Sequence, residues 1–195
     1  MPKQFKDAEK FLKQGLKSGI SSKHQESLAK FKRALTVFRQ INDRAKEALT
    51  LNCIGGVYQT IGQERKALEF HQQALEIGEE ISDLELQGSA VRNMGFVHYF
   101  LGLYDEAETL FQKAIKLHEQ INDEWSVAGE IGNLGLIHFA REEYDLAIEN
   151  YQQCLRILEK FDAKGDQSCT WHDMGDAYRV KGNIEESSAC FDRTI

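Results

Sequence analysis

Between Leu49 and Ile61 the apolar residues fall at Leu51, Ile54, Val57, Tyr58 and Ile61, three and four positions apart. That spacing lays them on one face of an amphipathic helix. Gly62-Gln63 interrupts the pattern, after which Ala67, Leu68, Phe70, His71, Ala74, Leu75 and Ile77 trace a second helix ending near Ile81. Ser82-Asp83 then supplies a polar turn. The unit is helix, turn, helix, turn, and it returns with a period of forty residues. Gly15, Gly55, Gly95, Gly135 and Gly175 share one phase of that period. Self-similarity at a fixed period is the signature of a repeat architecture, and it takes precedence over any residue-level reading.

The copies agree in detail. Asn133-Leu134-Gly135 is followed by Tyr144, Ala147, Tyr151 and Cys154, while Asn93-Met94-Gly95 is followed by Tyr104, Ala107, Phe111 and Ala114. Earlier come Cys53-Ile54-Gly55 with Ala67, His71 and Ala74, and a weaker first copy with Gly15, Ser27, Phe31 and Ala34. The last is Asp173-Met174-Gly175 with Ser187, Phe191 and Thr194. Glycine at the shared phase, and alanine on the second helix, let two helices approach where they cross, and Phe31, Phe111, Tyr151 and Phe191 fill the remaining gap. A helix pair of this kind cannot bury its apolar face alone, so it stacks on its neighbour. Glycine at 62, 102 and 182 suits a positive φ after a helix C-terminus. Asn42-Asp43, Ser82-Asp83 and Asn122-Asp123 suit helix starts, because their side chains accept orphan backbone N–H groups. The fourth copy departs from this, with Phe161-Asp162-Ala163-Lys164-Gly165-Asp166 between units. The expectation is an all-α chain forming a single solenoid over 1–195, a stack of antiparallel helix pairs. The repeats run at approximately 8–47, 48–87, 88–127, 128–167 and 168–195, the last incomplete.

These residues resemble the tetratricopeptide repeat, whose pattern is W-x2-L-G-x2-Y followed by A-x3-F. Trp171, Met174, Gly175 and Tyr178 carry its head, and Gly102, Tyr104, Asp105, Glu106, Ala107, Phe111 and Ala114 its tail. The resemblance covers Ala8 to Ile195. Two departures stand out: the period is forty residues instead of thirty-four, and the proline that closes the second helix is absent. Glu79, Glu119 and Glu159 occupy its place, so the second helix is expected to run on about a turn further. The long form is similar to the repeats of spindle-orientation adaptors, kinesin light chains and bacterial peptide-sensing regulators. The resemblance implies a right-handed α-solenoid.

It also implies that the first helix of each pair lines a concave face on which partners bind. Carried over by phase, that face includes Asn52, Cys53 and Gly56 in the second repeat, and Arg92, Asn93, Phe96 and Tyr99 in the third. In the fourth it includes Asn133, Leu136 and Phe139, and in the fifth His172 and Asp173. An asparagine amide can both donate to and accept from an extended peptide backbone, Arg92 suits a carboxylate, and aromatic residues suit an apolar anchor. Phe100 is expected to pack between helices instead. The family's chaperone-tail binders use a clamp of lysines and asparagines, but Leu12 and Leu16 stand at two of the positions it needs.

Composition narrows the partner. The net charge is −7, which argues against nucleic acid, whose phosphates call for a basic face. No apolar run reaches the length of a membrane span, and the first residues do not resemble a signal peptide, so the expected compartment is the cytoplasm. Cys53, Cys154, Cys169 and Cys190 show no CxxC spacing. His98 and His138 stand one period apart, but packing roles account for them, and no metal or other cofactor is expected. There is no HExxH, no phosphate-binding glycine loop and no G-x-S-x-G. The cluster of Cys169, His172 and Asp173 lies within one helix and lacks an oxyanion device. The expected function is therefore a non-catalytic scaffold or adaptor that binds a peptide segment of a protein partner. The alternatives are a regulatory peptide sensor, or an assembly module forming a homodimer through its last repeat. The chain stops at Ile195 part-way through a second helix, which reads as a fragment of a longer protein and would leave Phe191 and Ile195 near an exposed apolar end.

Overall fold

The computed structural model describes residues 3–20, 23–161 and 163–194. Asp162 and Ile195 lie outside the described residues. Among those described there are ten α-helices and no strand. They are α1 (Lys3–Ile20), α2 (His24–Gln40), α3 (Arg44–Thr60), α4 (Glu64–Glu80) and α5 (Leu84–Phe100), followed by α6 (Tyr104–Gln120), α7 (Glu124–Ala140), α8 (Tyr144–Leu158), α9 (Lys164–Lys181) and α10 (Ile184–Phe191). The chain forms two compact units, residues 1–101 with α1 to α5 and residues 102–195 with α6 to α10. Within each unit every helix packs on the next, and the short turns make neighbours antiparallel. The all-α architecture of packed helix pairs is the one expected from the sequence. No helix among the described residues is long and apolar enough to cross a membrane.

The turns explain the regularity. From α2 to α7 each helix is 17 residues long and is closed by one residue in the left-handed region. These residues are Asn42, Gly62, Ser82, Gly102, Asn122 and Glu142, and Gly182 does the same after α9. The next backbone N–H then reaches back to a carbonyl five residues earlier, as in Asp43 to Phe38 at 2.9 Å, Gln63 to Tyr58 at 2.9 Å and Glu143 to His138 at 2.8 Å. This satisfies carbonyls that the helix end would otherwise leave open. Glycine does this at no steric cost, and Asn tolerates it; Glu142, with φ of 63°, holds the same conformation at a cost. Asp43, Asp83 and Asp123 then cap α3, α5 and α7, each carboxylate accepting a backbone N–H at 3.0 Å. The fourth joint differs, as its sequence suggests. Ala163 precedes α9 without a side-chain cap, and α8 stops at Leu158. The extra turn expected at Glu159 is therefore present in α4 and α6 but absent from α8.

The repeated glycine phase has the predicted mechanical role. A Cβ at Gly15 would lie 2.5 Å from the Phe31 ring, at Gly55 2.6 Å from His71, at Gly135 2.5 Å from Tyr151 and at Gly175 2.8 Å from Phe191. In each case the residue sixteen positions later lays its ring on the bare glycine backbone. Phe31, His71 and Tyr151 are essentially buried there, and Phe191 partly so. The outer copies add one bond each. Ser27 Oγ donates to the Gly15 carbonyl at 2.5 Å, and Ser187 Oγ to that of Gly175 at 2.9 Å.

Charged residues stitch helix ends together at a second fixed spacing. Arg44 pairs with Glu80, Asp105 with Arg141, Glu124 with Lys160 (2.6 Å) and Asp145 with Lys181, all thirty-six residues apart. Glu80 is thus a tether between the start of α3 and the end of α4. Glu47 is buried and takes Arg39 at 2.8 Å and Arg44 at 2.5 Å.

Candidate functional site

In unit 1 the first-helix residues come from α3 and α5. Asn52 is 7% exposed, and its Oδ1 lies 2.7 Å from His71 Nδ1. Its amide therefore serves the interior. It satisfies a histidine that stands where other copies have phenylalanine or tyrosine, and burial lowers that imidazole to about 4. Beside it Cys53 is partly covered, with its thiol pushed up by burial to about 11, which makes it a weak nucleophile at neutral pH. Gly56 carries no side chain where Phe96 and Leu136 project from the later copies, and a Cβ there would meet open space. The result is a cleft of about 260 Å³ lined by Leu16, Phe31, Cys53, Gly56 and Thr60 among others.

On α5, Arg92, Asn93, Phe96 and Tyr99 are all half-buried. The Asn93 amide makes no hydrogen bond with any described residue, whereas Arg92, Phe96 and Tyr99 each have intramolecular contacts. The Tyr99 ring stands edge-on to Phe100 at 5.5 Å. Phe100 is 69% exposed, which corrects the expectation that it packs between helices. It is the last residue of α5. His98 turns Nδ1 to the Met94 carbonyl at 2.8 Å.

In unit 2, Asn133 on α7 is half-buried, and its Nδ2 donates to Glu130 Oε2 at 3.0 Å. Leu136 and Phe139 pack against the core formed by Ala147, Tyr151 and Met174, and Phe139 stands edge-on to Tyr144 at 5.5 Å. Both therefore support the α7–α8–α9 packing with one side and offer only their remaining surface outward. On α9, His172 is exposed, with Nδ1 3.8 Å from Asp173 Oδ1 and 3.7 Å from Asp176 Oδ2. Its ring rests against Phe191 at 5.5 Å. Burial raises the Asp173 carboxyl, opposed by His172. His138 is engaged by Glu143 at 2.7 Å.

The sequence reading missed Glu130. It is wholly buried, its Oε1 lies 4.0 Å from His118 Nε2, and His118 is itself 1% exposed. A signal was available: at the same phase the second, third and fifth copies have Thr50, Ala90 and Thr170, small and uncharged, although the weaker first copy has Lys10.

These faces can be set beside known proteins. The tetratricopeptide repeat profile matches residues 20–80, 86–160 and 127–195. A Rap protein solved in complex with Competence and Sporulation Factor superposes with a TM-score of 0.85 at 16% identity, over 95% of this chain and 52% of that one. The Rap conjugation gene regulator of plasmid pLS20, solved with the Phr* peptide, gives 0.81 at 17% identity over 95% and 51%. A putative kinesin light chain from Podosopora anserina gives 0.74 at 14% identity over 100% and 95%. The chain thus spans about half the length of the two Rap structures. No curated protein matches it.

Proposed function

Because the chain belongs to the tetratricopeptide repeat family, we propose that it is a non-catalytic interaction scaffold that holds a peptide segment of a protein partner on its first-helix faces. The observation that carries this reading is Asn93, a half-buried amide on α5 that makes no hydrogen bond with any described residue. A polar group so placed leaves hydrogen-bonding capacity unused within the fold, and a peptide backbone can take it up. Arg92, Phe96 and Tyr99 on the same helix add a cation and aromatic area. The cleft opened by Gly56 offers room in unit 1 for an apolar side chain. In unit 2, Asn133 and the outward parts of Leu136, Phe139, His172 and Asp173 form the corresponding set. The peptide-bound Rap regulator supports a peptide as the ligand class.

The test is affinity capture from native lysate, comparing wild type with an Arg92→Ala, Asn93→Ala, Asn133→Ala variant of unchanged helicity. A partner held by the first and lost by the second supports the assignment. Partners retained equally by both would show that binding uses other surfaces.

A further inference from the structure

Asn93 and Asn133 hold the same phase of neighbouring repeats, yet three residues earlier α5 has Ala90 and α7 has Glu130, both wholly buried. We propose that Glu130 is a positioning residue that makes Asn133 a preformed hydrogen-bond acceptor, so that this point of the first-helix face takes a backbone N–H of the bound peptide. The inference rests on the peptide-binding reading above.

Asn133 Nδ2 donates to Glu130 Oε2 at 3.0 Å. The partner's chemistry thus assigns the amide orientation. Oδ1 is thereby turned away from Glu130, and no described residue donates to it. Behind Glu130 stands the buried His118, at separations longer than a hydrogen bond. His118 Nε2 faces the other Glu130 oxygen at 4.0 Å, and His118 Nδ1 lies 3.7 Å from Asp123 Oδ2. Asp123 in turn caps α7 by accepting the Ser126 N–H at 3.0 Å.

Burial makes this arrangement rigid. A carboxylate in the interior cannot give up a donor without being left undercompensated, so the Asn133 amide is not free to flip. Packing alone does not require the charge, since Thr50, Ala90 and Thr170 fill the same phase in the second, third and fifth copies. An acceptor already fixed in place loses less freedom on binding than one that must be ordered by its ligand. Asn93, with Ala90 beneath it, has no such brace.

The first test needs no ligand. Exchange of the side-chain carboxamide protons with solvent is followed by nitrogen-15 NMR on the whole chain. The Asn133 proton facing Glu130 is expected to exchange about tenfold more slowly than those of Asn93, the factor a single hydrogen bond supplies. Equal rates would overturn the inference. The second test exchanges the polarity of the pair. Asn133→Asp alone sets two carboxylates together and lowers Tm; adding Glu130→Gln restores a bond with donor and acceptor reversed, and Tm recovers. A glutamate that merely packed against His118 would gain nothing from the second change, so a further fall in Tm sinks the idea. Should the single variant fail to fold, recovery of folding in the double variant is the supporting result, and failure of both is the opposing one. The third test uses a peptide selected on wild type from a displayed random library. Methylation of one backbone nitrogen should weaken it about tenfold, the loss expected for one hydrogen bond, and Asn133→Ala should abolish that sensitivity. A peptide indifferent to methylation at every nitrogen would overturn the acceptor role. Failure to select any peptide would count against the peptide-binding reading, while the exchange and polarity results still decide whether Glu130 positions Asn133.

Discussion

The helix pairs α3/α4 and α7/α8 are built to one plan and differ in where they direct an amide. In both, a glycine lies under a ring sixteen residues later, Gly55 under His71 and Gly135 under Tyr151. In both, an ion pair thirty-six residues long ties the start of the first helix to the end of the second. In α3/α4 the ring is a histidine, and Asn52 turns inward to meet its Nδ1. In α7/α8 the ring is a tyrosine, and the position equivalent to Asn52 is Gly132. The asparagine one residue later is held at the surface by Glu130. In these two pairs the direction of the amide thus follows from the ring that Asn52 meets and from the glutamate three positions before Asn133.

The largest effect expected from this difference is in pH dependence. Burial lowers the His71 imidazole from 6.5 to about 4. A base whose folded pKa lies below its unfolded value contributes stability that is complete above the unfolded value. That contribution is lost as the pH falls from about 6.5 toward 4. The loss amounts to roughly 3 kcal/mol at the lower end. The Asn52→Leu, His71→Phe double variant, which copies Leu12 and Phe31 of the first repeat, should lack this component. Urea unfolding of both proteins at several pH values measures it, and parallel curves would refute it.

Next in size is Asn52→Leu alone. It leaves a buried ring nitrogen without its partner, for about 2 kcal/mol of lost stability. Adding His71→Phe should recover most of that loss, because two apolar groups then replace two polar ones. A double variant as unstable as the single would mean that the Asn52–His71 bond is not the source.

A smaller gain is expected at the turn. Glu142 occupies the left-handed position that Gly62 holds in α3/α4. Glu142→Gly should stabilise the protein by about 1 kcal/mol, read as a rise in Tm, and Gly62→Ala should lower it by a similar amount.

The smallest effect belongs to the ion pairs. Arg44–Glu80 and Glu124–Lys160 have opposite polarity at the same spacing. Exchanging the two charges of the Glu124–Lys160 pair should change stability by less than about 0.5 kcal/mol, since it is exposed on both sides. A larger change would mark it as part of a wider network.

Much of the architecture was legible because it is periodic. The glycine phase, the aromatic laid on it and the left-handed turns at Gly62, Gly102 and Gly182 each follow from a residue whose physical role is narrow. The surface was harder to read. Asn52 and Asn133 both fall on the first-helix face, one position apart in phase, and the contact of Asn52 with His71, on another helix, shows that its amide serves the interior. Leu136 and Phe139 read as groove lining but also brace the Tyr151 core, since a side chain at that phase has two faces. Phe100 read as a packing residue because it is a large apolar side chain on a first helix, but it is the last residue of α5 and is left exposed. Glu130 was visible as an exception to Thr50, Ala90 and Thr170 at the same phase, but its burial beside His118 depends on the preceding helix.

From Asn42 to Glu142 a left-handed residue every twenty positions divides the chain like a ruler into equal steps. Each division is one helix and one joint, and the joints at Asp43, Gln63, Asp83, Asp123 and Glu143 are closed by the same backbone bond. A tandem duplication of any forty-residue segment starting at a joint would insert a piece whose two ends already match. Loss of a single residue inside a helix would instead rotate everything after it within that helix by about 100° and carry a ring off its glycine. A gene of this kind can lengthen or shorten in whole repeats at little cost to folding, and scarcely at all in smaller steps.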